Sequence, residues 1–264
     1  MADFNLAELH QMSDLVLTRR EGPVTRITLN RADKANSLNP ELAEALLAAV
    51  EAASADDGRV ILFDGVGRHF CGGFDLADTD ILEGPGAVSD GDMLWRLVRI
   101  EMLLQAVWHA PKPTIALGKG RIMGAGTDLF AACSQRVAAP GTTFRMPGLG
   151  FGILLGTRRL VARIGADAAR RIQNEIATFD AVQSHALGFV TDILSEEEWP
   201  RFVERAATAA QTLAPDASAM LFATTAADTR DLDIATLVRS AGRPGLVERI
   251  RAFRAATLKA AGRN

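Results

Sequence analysis

The chain has 264 residues, of which 48% are hydrophobic and 23% charged, with a formal net charge of −3. That is enough apolar material to bury a full core, in one domain of generous size or one domain with a C-terminal appendage. The near-balanced charge excludes a global positive field that would gather nucleic acid or an anionic membrane.

Two cysteines, Cys71 and Cys133, make neither a disulfide framework nor a zinc motif. The four histidines lack metal-ligand spacing, so no metal site is expected. The segment MADFNLAELHQMSD is acidic without a continuous apolar run, so neither a signal nor a transit peptide is expected. No stretch reaches the length and apolarity of a membrane span, and a cytoplasmic protein is expected.

Residues 15–18 and 24–29 alternate as strands, and Glu21-Gly22-Pro23 supplies the turn of a hairpin. A polar loop over residues 30–36 leads into a helix with Asn39 as N-cap and Pro40 at the first helical position. Leu42, Leu46, Leu47 and Val50 recur at helical spacing, and Asp56-Asp57-Gly58 ends the helix. The short apolar run 60–63 (VILF) suits a buried strand. An acidic, glycine-containing loop over 78–90 precedes a helix over 93–108. A strand over 113–117, a helix over 124–132 and a strand over 136–139 follow. This alternation argues for an α/β architecture. Beyond about Pro200 the chain reads as helical, punctuated by Pro215, Gly242, Pro244 and Gly245. The predicted organisation is a core over residues 1–200 and a C-terminal helical region over 201–264.

Two glycine-bearing turns interrupt this pattern. One is Phe70-Cys71-Gly72-Gly73-Phe74-Asp75-Leu76, after the 60–63 strand. The other, residues 120–126, follows the next strand and opens a helix. Glycine permits close backbone approaches, and free N–H groups at a helix start face anions readily. Two such donors aimed at one oxygen would form an oxyanion hole, each worth roughly 3–4 kcal/mol in a transition state. Either turn alone is also an ordinary structural feature. Neither matches a dinucleotide or P-loop fingerprint.

Taken in order, the runs ITLNRADKANSLN, GRHFCGGFDL, PKPTIALGKGRIMGAGTDLFAAC and AVQSHALGFV resemble the crotonase (enoyl-CoA hydratase/isomerase) superfamily over most of the first ~200 residues, a length that suits one domain. The resemblance implies a crotonase-like spiral of ββα units and a C-terminal helical trimerisation region. It also implies a homotrimer or dimer of trimers, and an acyl-CoA thioester substrate with no separate cofactor. By the same resemblance the oxyanion donors are the backbone N–H groups of Phe74 and Ala125. CoA binding falls to Lys34, Ala35, Ser37 and Leu38, with Gly73, Asp75, Leu76, Arg121, Gly124, Pro147 and Gly148 around the same cleft. Phe253 and Lys259 lie in a tail that would reach a neighbour's CoA.

Family hydratases use two glutamates. The first falls on Asp128, a carboxylate one methylene shorter, and the second on Gly148, which has none. The 150–160 segment (GFGILLGTRRL) also departs from the family's usual glycine-threonine pattern. Asp128 is therefore the candidate acid or base, with a dipole-stabilised helix-terminal carboxylate as the plain alternative. Glu101 reads as a solvated helix residue, Asp78 and Asp80 receive no role, and His69 reads as a packing or surface residue. Arg145, Arg158 and Arg159 read as structural ion-pair residues. If one of them faced the acyl pocket, a substrate with a free carboxylate would follow. The leading expectation is enoyl-CoA hydration through an enolate-like oxyanion. Hydrolysis, decarboxylation, specialised isomerisation and a non-catalytic acyl-CoA-binding or assembly role stand as alternatives.

Overall fold

The structure is a computed structural model and describes residues 14–76 and 88–261. Asp78 and Asp80 fall outside that range, as does most of the acidic loop. The hairpin forms as expected, with β1 (Val16–Glu21) antiparallel to β2 (Val24–Leu29). Asn39 caps α1 (Pro40–Ala55) by accepting from the Leu42 N–H at 3.0 Å, with Pro40 in the first turn. After β3 (Val60–Gly65) the long helix α2 (Asp90–Trp108) starts three residues earlier than the apolar pattern suggests. Ser89 and Asp92 form a reciprocal capping box there, which extends the helix beyond its first core residue, Met93.

Next come β4 (Thr114–Gly118), β5 (Arg121–Met123), α3 (Ala125–Ala132), β6 (Gln135–Ala138) and β7 (Thr143–Arg145). They are followed by α4 (Thr157–Ile164), α5 (Ala166–Glu175), β8 (Thr178–Asp180), α6 (Ala181–Ala186) and β9 (Asp192–Ile193). Four helices complete the described chain: α7 (Trp199–Ala210), α8 (Pro215–Thr225), α9 (Arg230–Ala241) and α10 (Leu246–Ala261). The second glycine turn thus contains a short strand, β5, which was not evident from its composition.

The main sheet has the order β1-β2-β3-β4-β6-β9 and is parallel from β2 onward. A smaller sheet, β5-β7-β8, stands beside it. The apolar runs in the central strands are continuous because both faces of the main sheet are covered. Ile61, Phe63, Ala116 and Ala138 point to the side of α1, α2 and α3. Val60, Leu62, Ile115, Leu117 and Val137 point the other way, against Trp199, Phe202 and Val203 of α7. That alternation is the period-2 geometry of a strand read on both sides. Phe130, Phe144, Phe179 and Phe189 pack ring against ring and join the small sheet to α3.

Candidate active site

The site is built where the loops after the parallel strands meet. Asn36 is fully buried and holds the first two loops together. Its amide donates to the carbonyls of Val66 at 3.0 Å and His69 at 2.8 Å, while its side-chain oxygen accepts from the Arg31 N–H at 2.8 Å. Backbone bonds then zip residues 35–38 to residues 72–75. The Gly72 N–H donates to Ala35 O, Leu38 N–H to Gly73 O and Asp75 N–H to Leu38 O. Arg31 clamps the same junction through the Asp75 carboxylate at 2.6 Å.

This pairing uses the Leu38 N–H and carbonyl and leaves the Phe74 N–H outside it. Among the described residues, neither the Phe74 N–H nor the Ala125 N–H has a hydrogen-bond partner. The loops that carry them touch at Gly73, whose φ is +85°. A β-carbon there would stand 2.3 Å from Met123 O and 3.3 Å from Ala125 N, so only glycine allows this approach. Ala125 is the first residue of α3, where the N–H groups are unsatisfied and the helix dipole is positive. His69 braces the second turn from outside, its Nδ1 accepting from the Arg121 N–H at 3.0 Å. Partial burial, then the charges of Arg121 and Arg68, hold His69 below its usual value, in keeping with a neutral acceptor.

Both N–H groups belong to residues that line an apolar cavity of about 200 Å³. Of the expected site residues, Phe74, Leu76, Gly124, Ala125, Asp128, Pro147 and Gly148 line it, and Gly73 lies directly behind. Lys34, Ala35, Ser37, Leu38, Asp75 and Arg121 do not line this cavity. Leu38 and Asp75 are buried beneath it and position the Phe74 strand, and Arg121 is exposed. Ile250, Phe253 and Thr257 of α10 line this chain's own cavity, with Phe253 packed on Phe151 at 4.9 Å between ring centroids. Asp90 fastens the start of that helix by accepting from the N–H groups of Gly245 and Val247, at 2.8 and 2.9 Å.

Asp128 is the sole acid among the described residues lining the cavity. It lies one helical turn after Ala125, so both occupy the same side of α3. Its side chain is buried and its Oδ1 has no hydrogen-bond partner. Burial pushes its carboxyl well above the usual range. Arg159 opposes the rise, and Glu101 adds to it. Burial therefore favours the neutral form of this carboxyl.

Glu101 is not the solvated helix residue the sequence suggested. It is 1% exposed and bonded to Arg159, which also contacts Asp233 at 3.4 Å. Arg158 reaches the same Asp233 at 2.9 Å. This buried network stands behind Asp128. Beside Gly148, where the second glutamate of family hydratases would fall, the wall is apolar and formed by Leu149, Ile153 and Leu155. Gly156 and Gln173 were not anticipated as site residues. Gly156 abuts Asp128 and was legible only as a glycine ahead of a helix, while Gln173 lies in an amphipathic helix with nothing local to single it out.

The strand order, the paired loops and the cleft define a crotonase-fold protein. The chain belongs to the enoyl-CoA hydratase/isomerase family, whose model matches residues 19–242. It is 30% identical over 191 residues to the 2,3-dehydroadipyl-CoA hydratase of Escherichia coli, covering 70% of this chain and 71% of that one. It is 35% identical over 161 residues to a protein named as an enoyl-CoA hydratase in Mycobacterium leprae, covering 58% of this chain and 60% of that relative's length. A solved hydratase/isomerase-group structure from Bordetella parapertussis superposes with a TM-score of 0.87 at 43% identity, covering 91% of this chain and 98% of that one. The enoyl-CoA hydratase of Bacillus halodurans, at 22% identity and a TM-score of 0.78, over 90% of this chain and 99% of that one, shares the fold. Among the described residues no helix is long and apolar enough to cross a membrane.

Proposed function

We propose that the protein is an acyl-CoA enzyme of the hydratase type that uses Asp128 as its single proton-transfer group. The observation that carries this reading is the buried Asp128 carboxyl, set one helical turn from Ala125 in the cavity wall, where burial raises its pKa. The thioester oxygen accepts from the N–H groups of Phe74 and Ala125. Negative charge develops on that oxygen as water attacks the β-carbon of an enoyl thioester. Donors fixed in advance in an apolar cleft stabilise that charge without reorganising.

The protonated Asp128 then gives its proton to the α-carbon, and its other oxygen takes the proton lost by the attacking water. The net change is addition of water across the double bond, and Asp128 ends as it began. No cofactor beyond the CoA of the substrate takes part. CoA is assigned to the loop bearing Lys34, Ala35 and Ser37, which lies against Gly72 at one end of the cavity. The apolar side chains exposed on the C-terminal helices, such as Met220 at 63% and Leu232 at 57%, support self-association as a homotrimer or dimer of trimers.

The lone acid also favours a second reading. A double-bond isomerisation moves one proton between two carbons, and one carboxyl suffices for it. Turnover of crotonyl-CoA separates the two. Loss of the conjugated enoyl absorbance that disappears in Asp128→Asn supports hydration. No loss, with crotonyl-CoA still bound in calorimetry, removes hydration and leaves isomerisation, hydrolysis, decarboxylation or a non-catalytic acyl-CoA-binding role.

A further inference from the structure

The three arginines near the cleft divide into two kinds. Arg158 and Arg159 are engaged by Asp233 and Glu101. Arg145, at the end of β7, lines the cavity and makes no ion pair with a described residue. Its Nε donates to the Ile176 carbonyl at 3.1 Å, which anchors the guanidinium at the end of α5, and neither Nη donates to a described residue. Gln173 of α5 lines the same wall. Its side-chain nitrogen is held by Thr157 Oγ1 at 3.2 Å.

Asp128 makes no ion pair with Arg145, and its Oδ1 has no hydrogen-bond partner. Beside the buried Asp128, the described residues of the cavity wall carry one cation, no other charged group and mainly apolar side chains. A half-buried cation in such a wall is stabilised by an anionic partner, and a guanidinium held at Nε presents its remaining N–H groups as a fork suited to a carboxylate. The Arg145 side chain bonds Ile176 and not the 31–38 loop beside Gly72, so the anion belongs to the acyl portion and not to the CoA phosphates.

We propose that the cavity takes an acyl-CoA whose acyl chain ends in a carboxylate, and that Arg145 pairs with that carboxylate. The inference rests on the acyl-CoA reading above and adds its substrate class. It is tested by calorimetry on the full chain with matched saturated thioesters, pairing succinyl with butyryl-CoA, glutaryl with valeryl-CoA and adipyl with hexanoyl-CoA. Each pair shares the CoA moiety and the carbon count. In the wild type, at least one dicarboxylic member is expected to bind about tenfold or more tightly than its partner. Arg145→Gln should erase that preference while binding the monocarboxylic thioesters as before, which also shows that the variant is folded. Arg145→Lys should retain part of it, because the charge stays but the fork is lost.

Equal affinities within every pair in the wild type overturn the proposal and leave the acyl-CoA reading intact. A preference that survives in Arg145→Gln overturns it as well. A variant that weakens both members of a pair alike places Arg145 on the phosphates and also overturns it. If no thioester binds the wild type, the acyl-CoA reading falls and this inference falls with it.

Discussion

Gly156 has no side chain because the Asp128 carboxyl occupies the space one would need. A β-carbon at Gly156 would lie 1.9 Å from Asp128 Oδ1, and the residue holds φ at +65° as it caps α4. The acid is thus housed by a turn 28 residues away, and replacement of Gly156 by Ala should displace it. We expect kcat to fall at least tenfold and stability to fall by about 1–3 kcal/mol, from overpacking together with the strained φ. Gly141→Ala is the control, since its φ of +80° imposes similar backbone strain with nothing within 4 Å of a β-carbon. Comparable kcat losses in both variants would dissociate Gly156 from Asp128.

Asp128→Asn should lower kcat by roughly 10²–10⁴ and preserve acyl-CoA binding. The same substitution has a consequence for stability that depends on pH. The unfolded carboxyl loses its proton near the ordinary value, while the folded one keeps it because burial holds its pKa well above that. Between those two values the folded state binds the extra proton, so wild-type stability falls as pH rises. Relative to wild type, Asp128→Asn should therefore gain about 1.4 kcal/mol for each pH unit above ~4 until the folded carboxyl ionises. Urea denaturation of both proteins at pH 4, 5.5 and 7 measures this. A difference independent of pH would mean the native carboxyl is ionised.

If the protonated acid is the working form, activity should be level at low pH within the folded range. It should decline as pH rises through the elevated pKa of Asp128. A pH-rate profile with the opposite slope would make Asp128 a base.

Phe74→Pro removes one N–H donor, whereas Phe74→Leu keeps it and trims the ring. The first should reduce kcat by roughly 10²–10³. The second should cost mainly stability, because the ring packs against the core on both sides of the cleft. Steady-state kinetics with circular dichroism on both variants decides between donor and side chain. Equal losses in kcat would assign the effect to the ring.

Arg159→Met leaves Glu101 buried without its partner and should destabilise the fold by about 3–5 kcal/mol. Glu101→Gln added to it should recover part of that loss, as thermal melts of the single and double variants would show. Arg159 also opposes the elevation of the Asp128 carboxyl, so its removal should shift the alkaline fall in activity to higher pH.

Much of the scaffold was legible in the residues because its signals are local. Asn39-Pro40 marks a helix start within two positions, and Gly22-Pro23 marks a hairpin. The VILF run declares a strand buried on both faces. Gly73 and the residues around Ala125 announce the two turns, and Asp128 was singled out by the family resemblance together with its place two residues after the second turn. Residues 147–156 were harder, since a 3-10 turn and a capping glycine carry little periodic pattern.

The sequence by itself therefore determined the order of elements up to about residue 139, the two glycine turns, the presence of Asp128 and the absence of a carboxylate at Gly148. Only the tertiary structure decided the direction in which the Asp128 carboxyl is shifted, because that depends on desolvation and on Glu101 and Arg159, neither of them a chain neighbour. It also separated Arg145 from Arg158 and Arg159, which are alike in composition but differ in whether an acid stands opposite. Burial and pairing are properties of where distant segments meet, and no local spacing encodes them.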